Sequence, residues 1–359
     1  MSTNGVSLVK ATKLSILNVA RQAGMLTRVR DSRWRAERLL ILAYHGVSLA
    51  DEHEADPELY MSPALLRKRL EALRAGGYQV LPLGAAIQRM YDGTLPSRAV
   101  ALTFDDGTHD FAAVAVPLLR EFGMPATVYL TTYYSERGGP IFDTMSSYLI
   151  WCARGKTIGG EGITSHGRPL VLTTPAAIDQ AAEDVYAYAR ECDWSSEEKD
   201  RALEEIARRG GVDYQSILAR RLFHIMTPEE VAALPRDLVD VQLHTHRHRV
   251  PVDRDLFRRE IDDNRRSLGR MGVGEDKPHF CYPSGVTNPA FIAWLKEAAV
   301  TSATTCRVGI ASPQDDPLLL PRLVDTTELT PLEFEGWLTG VSAFLPRRRG
   351  TSTPALRKY

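Results

Sequence analysis

The chain has 359 residues, 44% hydrophobic and 25% charged, with a formal net charge of -1. That length suffices for one large or two ordinary globular domains, and the balanced charge argues against a protein built to bind a polyanion such as nucleic acid. The cysteines Cys152, Cys192, Cys281 and Cys306 lie far apart without a Cys-x-x-Cys pair, so neither a zinc knuckle nor a disulfide framework is suggested.

Residues 1–38 carry Lys10, Lys13, Arg21, Arg28, Arg30, Arg33, Arg35 and Arg38 against only Asp31 and Glu37. They read as a solvated basic arm, with an anionic membrane surface as a peripheral partner. No stretch reaches the roughly 18 to 20 apolar residues of a membrane-spanning helix. The first residues also lack an apolar core followed by a small-residue cleavage site, so a cytoplasmic location, with peripheral membrane contact through the arm, is expected.

From residue 39 to 345 the chain reads as one catalytic-sized domain in which short apolar runs alternate with helical patterns. "LLILAYH" (39–45) is a strand; "SPALLRKRLEALRAGG" is a helix capped by Ser62 with Pro63 in its first turn; "YQVLP" is another strand. "AVALTF", the helix "FAAVAVPLLREFG" and "PATVYLTT" follow. Further on come "VDVQLHTH", a helix over about 253–271, "HFCYP", the helix "NPAFIAWLKEA", "TSATTC" and "LLLPRLV". This rhythm predicts an α/β fold, a distorted (β/α) barrel of about seven strands, with a doubly wound open sheet as the alternative. Residues 133–226 break it with a Gly-rich piece and two helical stretches, and read as an insertion near the strands' carboxyl ends, either a lid or substrate wall or a purely structural elaboration. Residues 346–359, with Arg347, Arg348 and Arg349, read as a solvated basic tail.

Two stretches carry chemistry. In "VALTFDDGTHD" (100–110) an apolar strand runs into Asp105 and Asp106, with Gly107 marking the turn. The paired carboxylates either converge on a metal ion or, for Asp106 or Asp110, cap the helix that begins near Phe111. In "VDVQLHTHRHRVP" (239–251) a strand ends in His244, His246 and His248, three of the nine histidines of the chain. Added to the paired aspartates, they favour a metal site.

The string Thr103-Phe104-Asp105-Asp106-Gly107 resembles the first motif of the polysaccharide deacetylases, the NodB-homology family of carbohydrate esterases, and His244-Thr245-x-x-His248 resembles the second. "HFCYPSG" (279–285) is similar to their third segment, and "ILAYHGVS" and Leu320-Pro321-Arg322 also resemble members. The resemblance implies Asp106, His244 and His248 as ligands of a divalent ion, zinc first with cobalt or nickel possible, and Asp105 as general base. It places the oxyanion near the backbone N–H of Ser284, and the reaction would be hydrolysis of the N-acetyl group of an amino sugar in a surface polysaccharide or its precursor.

Two departures stand out. Cys281 occupies the place of an arginine that orients the catalytic aspartate, and Arg322 is the candidate substitute. No carboxyl-terminal histidine motif is found, which leaves His45, at the end of the first strand, as the candidate general acid. His246 and His109 are read as structural or solvent-facing, and Trp151, Tyr186, Tyr188 and Trp194 of the insertion as core residues more than sugar platforms. The alternatives are deformylation of a sugar, another C–N amide hydrolysis on the same fold, or a silent carbohydrate-binding protein.

Overall fold

A computed structural model describes residues 8–345. Seven strands form its centre: β1 (Leu40–Tyr44), β2 (Ala99–Phe104), β3 (Ala126–Leu130), β4 (Val239–Leu243), β5 (His279–Cys281), β6 (Ser302–Val308) and β7 (Leu320–Val324). Every neighbouring pair is parallel, and β1 pairs with β2 on one side and β7 on the other. That last pairing closes the sheet into a (β/α) barrel and rules out the open alternative. The strands are apolar along both faces because both are covered: all residues of β1, β2 and β3 are buried. Distortion is local, since β5 and β4 share the single registered pair Phe280–Leu243 and the β6–β7 register shifts between Thr304 and Val308. The predicted "YQVLP" strand shrinks to Gln79–Val80, which pairs with the start of β2 outside the ring.

Caps set the helix starts as the sequence indicates. Ser62 accepts the Leu65 N–H at the head of Pro63–Ala75, and Asp253 and Asn288 do the same for their helices. The helix after β2 begins with a π turn over Phe111–Ala115 and becomes regular at Val116–Phe122. Pro117 there cannot donate to the ladder, which accounts for the irregular turn. Asp110 makes no capping bond to this helix, so the capping reading fails for it; its carboxylate instead accepts the Val47 N–H at 2.7 Å and the Thr108 hydroxyl at 3.0 Å.

The insertion joins β3 to β4. Its helices Phe142–Cys152, Pro175–Glu191 and Ser196–Gly210 close around their own apolar core, with Leu149, Val185, Leu203 and Ile206 inaccessible to solvent. The amino-terminal segment departs from the solvated arm that its charge suggested. Helices Leu8–Gln22, Met25–Arg30 and Arg33–Ala36 dock through Leu17, Ala20 and Leu26 against Val341. Arg35 is fully buried and donates to the carbonyls of Leu338, Arg38 and Ala99. Ala99 opens β2, so Arg33–Ala36 meets the amino-terminal end of the barrel, while Leu8–Gln22 lies along the helix Pro331–Thr339 with Lys10 bonded to the Glu328 carbonyl. The tail over 346–359, with Arg347–Arg349, lies outside the described residues.

Candidate active site

Because all seven strands run the same way, residues just past their carboxyl ends gather at one mouth. Asp105 and Asp106 follow β2, His244 and His248 follow β4, His45 follows β1, and Cys281 ends β5. The Asp106 Oδ1 atom lies 3.1 Å from His244 Nε2 and 3.3 Å from His248 Nε2, and one donor atom from each residue falls within 4.8 Å of the others. Backbone strain concentrates here: Asp106, Thr245 and His248 all hold positive φ, at 66°, 63° and 55°. Gly107 follows at φ 78°, where a Cβ would come within 2.3 Å of Leu130, so the turn that presents Asp106 requires glycine.

The hydrogen bonds around His244 decide what the trio can hold. Its Nδ1 lies 2.9 Å from the Cys281 carbonyl, an acceptor only, so Nδ1 carries the proton and a neutral ring leaves a lone pair on Nε2. That lone pair faces a carboxylate oxygen, a repulsive arrangement unless a proton or a cation lies between them. Two imidazole nitrogens and one carboxylate oxygen, with a carbonyl fixing the tautomer from behind, fit a zinc-type divalent ion. Asn264 buttresses the strand end, accepting the His244 N–H at 3.0 Å and donating to the Leu130 carbonyl and Thr132 hydroxyl at 3.0 Å each.

Asp105 has a different environment. Arg322 grips it with two bonds of 2.7 Å, one to each carboxylate oxygen, and also donates to Thr103 Oγ1 and the Thr305 carbonyl. The guanidinium is fully buried, and Cys281 Sγ sits 3.1 Å from it. Burial pushes the Asp105 carboxyl up, but the charge and hydrogen bonds of Arg322 outweigh it and hold the group below its ordinary range. Burial likewise raises Asp106, and where a proton rather than a metal ion lies between the rings and the carboxylate, the hydrogen bonds and charge of His244 and His248 carry it well below. His45 Nε2 stands 3.8 Å from Asp105 Oδ2, and Gly46 beside it packs so closely on the Tyr60 ring that a Cβ would lie 2.0 Å from Cε1.

A cavity of about 510 Å³ opens on this cluster, with His45, Asp106 and His248 at its floor and the insertion as a wall. Tyr186 and Trp194 line it, against the reading of these aromatics as core residues, whereas Trp151 stacks on Tyr148 and Tyr188 packs edge-on to Trp194. Ser284 holds φ 52° in the turn after β5 and does not line the cavity. His246 bonds the Thr132 hydroxyl at 2.8 Å and His109 pairs with Glu230 at 2.9 Å, both away from the trio. Sequence reasoning missed Asn264; its signal was an amide on the Phe257, Ile261 and Leu268 face of the helix Arg254–Arg270. It also missed the arginines of the β4 loop that border the cavity.

A parallel barrel that gathers an Asp-His-His trio and an arginine-clamped aspartate at its mouth can place a divalent ion beside a carboxylate. Residues 92–159 match the family model described as polysaccharide deacetylase. The chain is 35% identical over 100 residues to the poly-beta-1,6-N-acetyl-D-glucosamine N-deacetylase of Escherichia coli K12, a match covering 27% of this chain and 14% of that enzyme. Thus the match spans about one seventh of that relative's length. The fold is similar to the deacetylase PplD of Streptococcus pyogenes, with TM-score 0.55, 19% identity, and coverage of 82% of this chain and 96% of that one. It is also similar to IcaB from Ammonifex degensii, with TM-score 0.51, 17% identity, and coverage of 84% and 97%. The likeness to polysaccharide deacetylases thus rests on the family-model match over residues 92–159 and on a 100-residue match, with the fold similar over most of the chain.

Proposed function

We propose that the protein removes the acetyl group from an N-acetylated amino sugar by divalent-ion-assisted hydrolysis. The observation that carries this reading is the trio itself, in which His244 Nε2 lies 3.1 Å from the Asp106 carboxylate beside His248, with one donor atom of each residue within 4.8 Å of the others. Asp106, His244 and His248 would hold the ion, with zinc the best match to the donor set. Once bound, such an ion lowers the pKa of water and polarises the acyl carbonyl. Asp105, held ionised by Arg322, takes a proton from the attacking water. Arg322 touches no substrate and acts as a positioning residue. His45, facing the cavity beside Asp105, gives a proton to the leaving amine. The test is acetate release from N-acetylglucosamine oligomers by the purified protein, abolished by a chelator and restored by zinc, cobalt or nickel. Glycan binding without acetate release under any metal would instead support a silent carbohydrate-binding protein.

We also infer weak contact with an anionic membrane through the amino-terminal helices. Ile16, Val19 and Met25 remain 41%, 64% and 48% exposed on the docked segment, and Lys13 and Arg28 add positive charge beside them.

A further inference from the structure

The cavity wall beyond the trio is cationic. Arg137, Arg190 and Lys199 reach it from the insertion and Arg247 and Arg249 from the β4 loop, while Asp106 and Asp143 are the carboxylates that line it. Three of these cations are already matched: Arg137 to Asp200 at 2.6 Å, Arg247 to Glu260 at 3.0 Å, and Arg190 to Glu183 at 3.6 Å. Lys199 and Arg249 form no ion pair among the described residues. The Lys199 ammonium lies 5.9 Å from the Phe142 ring centroid, against the aromatic wall. Arg249 follows His248 directly, and its backbone N–H is tied to Thr245 Oγ1 at 3.0 Å, which fixes the loop that presents it.

A neutral acetylated sugar has no group that needs two free cations at the mouth of its cavity. The C–H face of a sugar ring is served by an aromatic side chain and its hydroxyls by neutral hydrogen bonds, whereas a cleft lined by one sign of charge concentrates ligands of the other. A guanidinium and an ammonium on one cavity suit phosphate or carboxylate oxygens, the arginine through paired N–H donors and the lysine as a point charge. We propose that the substrate is an N-acylated sugar bearing an anionic group, phosphate or carboxylate, which Arg249 and Lys199 hold while the acyl group lies at the trio. This rests on the deacetylase reading above and narrows its substrate class.

The experiment measures binding of N-acetylglucosamine, N-acetylglucosamine 1-phosphate and an N-acetylhexosamine–uronic acid disaccharide to the metal-loaded protein by calorimetry, at low and high salt. At low salt at least one anionic ligand should bind about tenfold or more tighter than the neutral sugar, a difference of about 1.4 kcal/mol. The preference should shrink as salt rises and fall towards unity in the double variant Lys199→Gln, Arg249→Gln. Preference for the phosphate or for the uronate names the source of the charge. Equal binding of all three ligands overturns the inference. So does a preference that survives in the double variant, because the anion then binds at the metal end. Acetate release from the neutral sugar or its oligomers without anion preference overturns this inference and leaves the deacetylase reading standing; absence of release from any of them, with metal bound, overturns the reading itself.

Discussion

Asp105 and Asp106 are adjacent in the chain yet answer to different partners, Arg322 for the first and two imidazoles for the second. The division of labour predicts different losses. Alanine at Asp106, His244 or His248 should lower bound metal and acetate release together, read by elemental analysis alongside activity; full metal content in His248→Ala would remove it from the ligand set. Asp105→Asn should keep the ion and lose activity by about 100-fold or more, the usual worth of a positioned base. His45→Ala should also keep the ion, and should regain rate on an activated ester whose leaving group needs no proton. An undiminished rate on the amide would move the acid role elsewhere.

At the scale of elements, the site depends on contacts between strands far apart in sequence. Arg322 on β7 reaches Asp105 past β2 from the opposite flank of β1, and both groups are buried. Arg322→Met would leave a buried carboxylate without its cation, so we expect a stability loss of about 3–5 kcal/mol in denaturant unfolding, together with lost activity. Arg322→Lys should recover part of each, because one of the two hydrogen bonds can reform. Asp110 ties the loop after His45 to the helix after β2 through the Val47 N–H. Burial pushes its carboxyl up to about 7, with Glu52 adding to the rise and the Val47 and Thr108 donors opposing it. In the unfolded chain the group titrates near about 3.9. The folded state therefore binds the proton more tightly, and this contribution to stability is complete below about pH 4 and lost as pH rises through about 7. Asp110→Asn keeps the acceptor and cannot ionise, so the decline in melting temperature across that range should flatten; an unchanged pH profile would show that Asp110 titrates normally.

For the molecule as a whole, the amino-terminal helices contribute no residue to the cavity lining, so the proposed substrate and membrane contacts need not compete. No helix among the described residues is long and apolar enough to cross a bilayer, and contact through Ile16, Val19 and their basic neighbours would be peripheral. We expect the protein to sediment with vesicles containing anionic phospholipid and much less with neutral ones, an effect of about 1 kcal/mol for each basic residue near the surface. Ile16→Ser with Val19→Ser should weaken that binding while acetate release in solution stays unchanged. Equal recovery with both vesicle types, or none with either, would argue against the contact.

Local rules determined much of this protein. Apolar runs separated by capped helices specified the strands and their parallel order, and the turn at Gly107 and the histidines past β4 marked the site, because periodicity, caps and strand ends are written in neighbouring residues. The docking of the amino-terminal helices was not legible, since their charge concealed the Leu17 and Leu26 face that finds Val341 only in the folded chain. Nor was the short β4–β5 contact, or the loss of "YQVLP" from the ring, because closure depends on pairings across the whole barrel. Tertiary structure alone set Asn264 behind His244, turned Tyr186 and Trp194 towards the cavity and left Lys199 and Arg249 without an ion pair among the described residues. Each is a relation between side chains brought together by barrel closure and by the insertion folding over its mouth, and no spacing along the sequence encodes it.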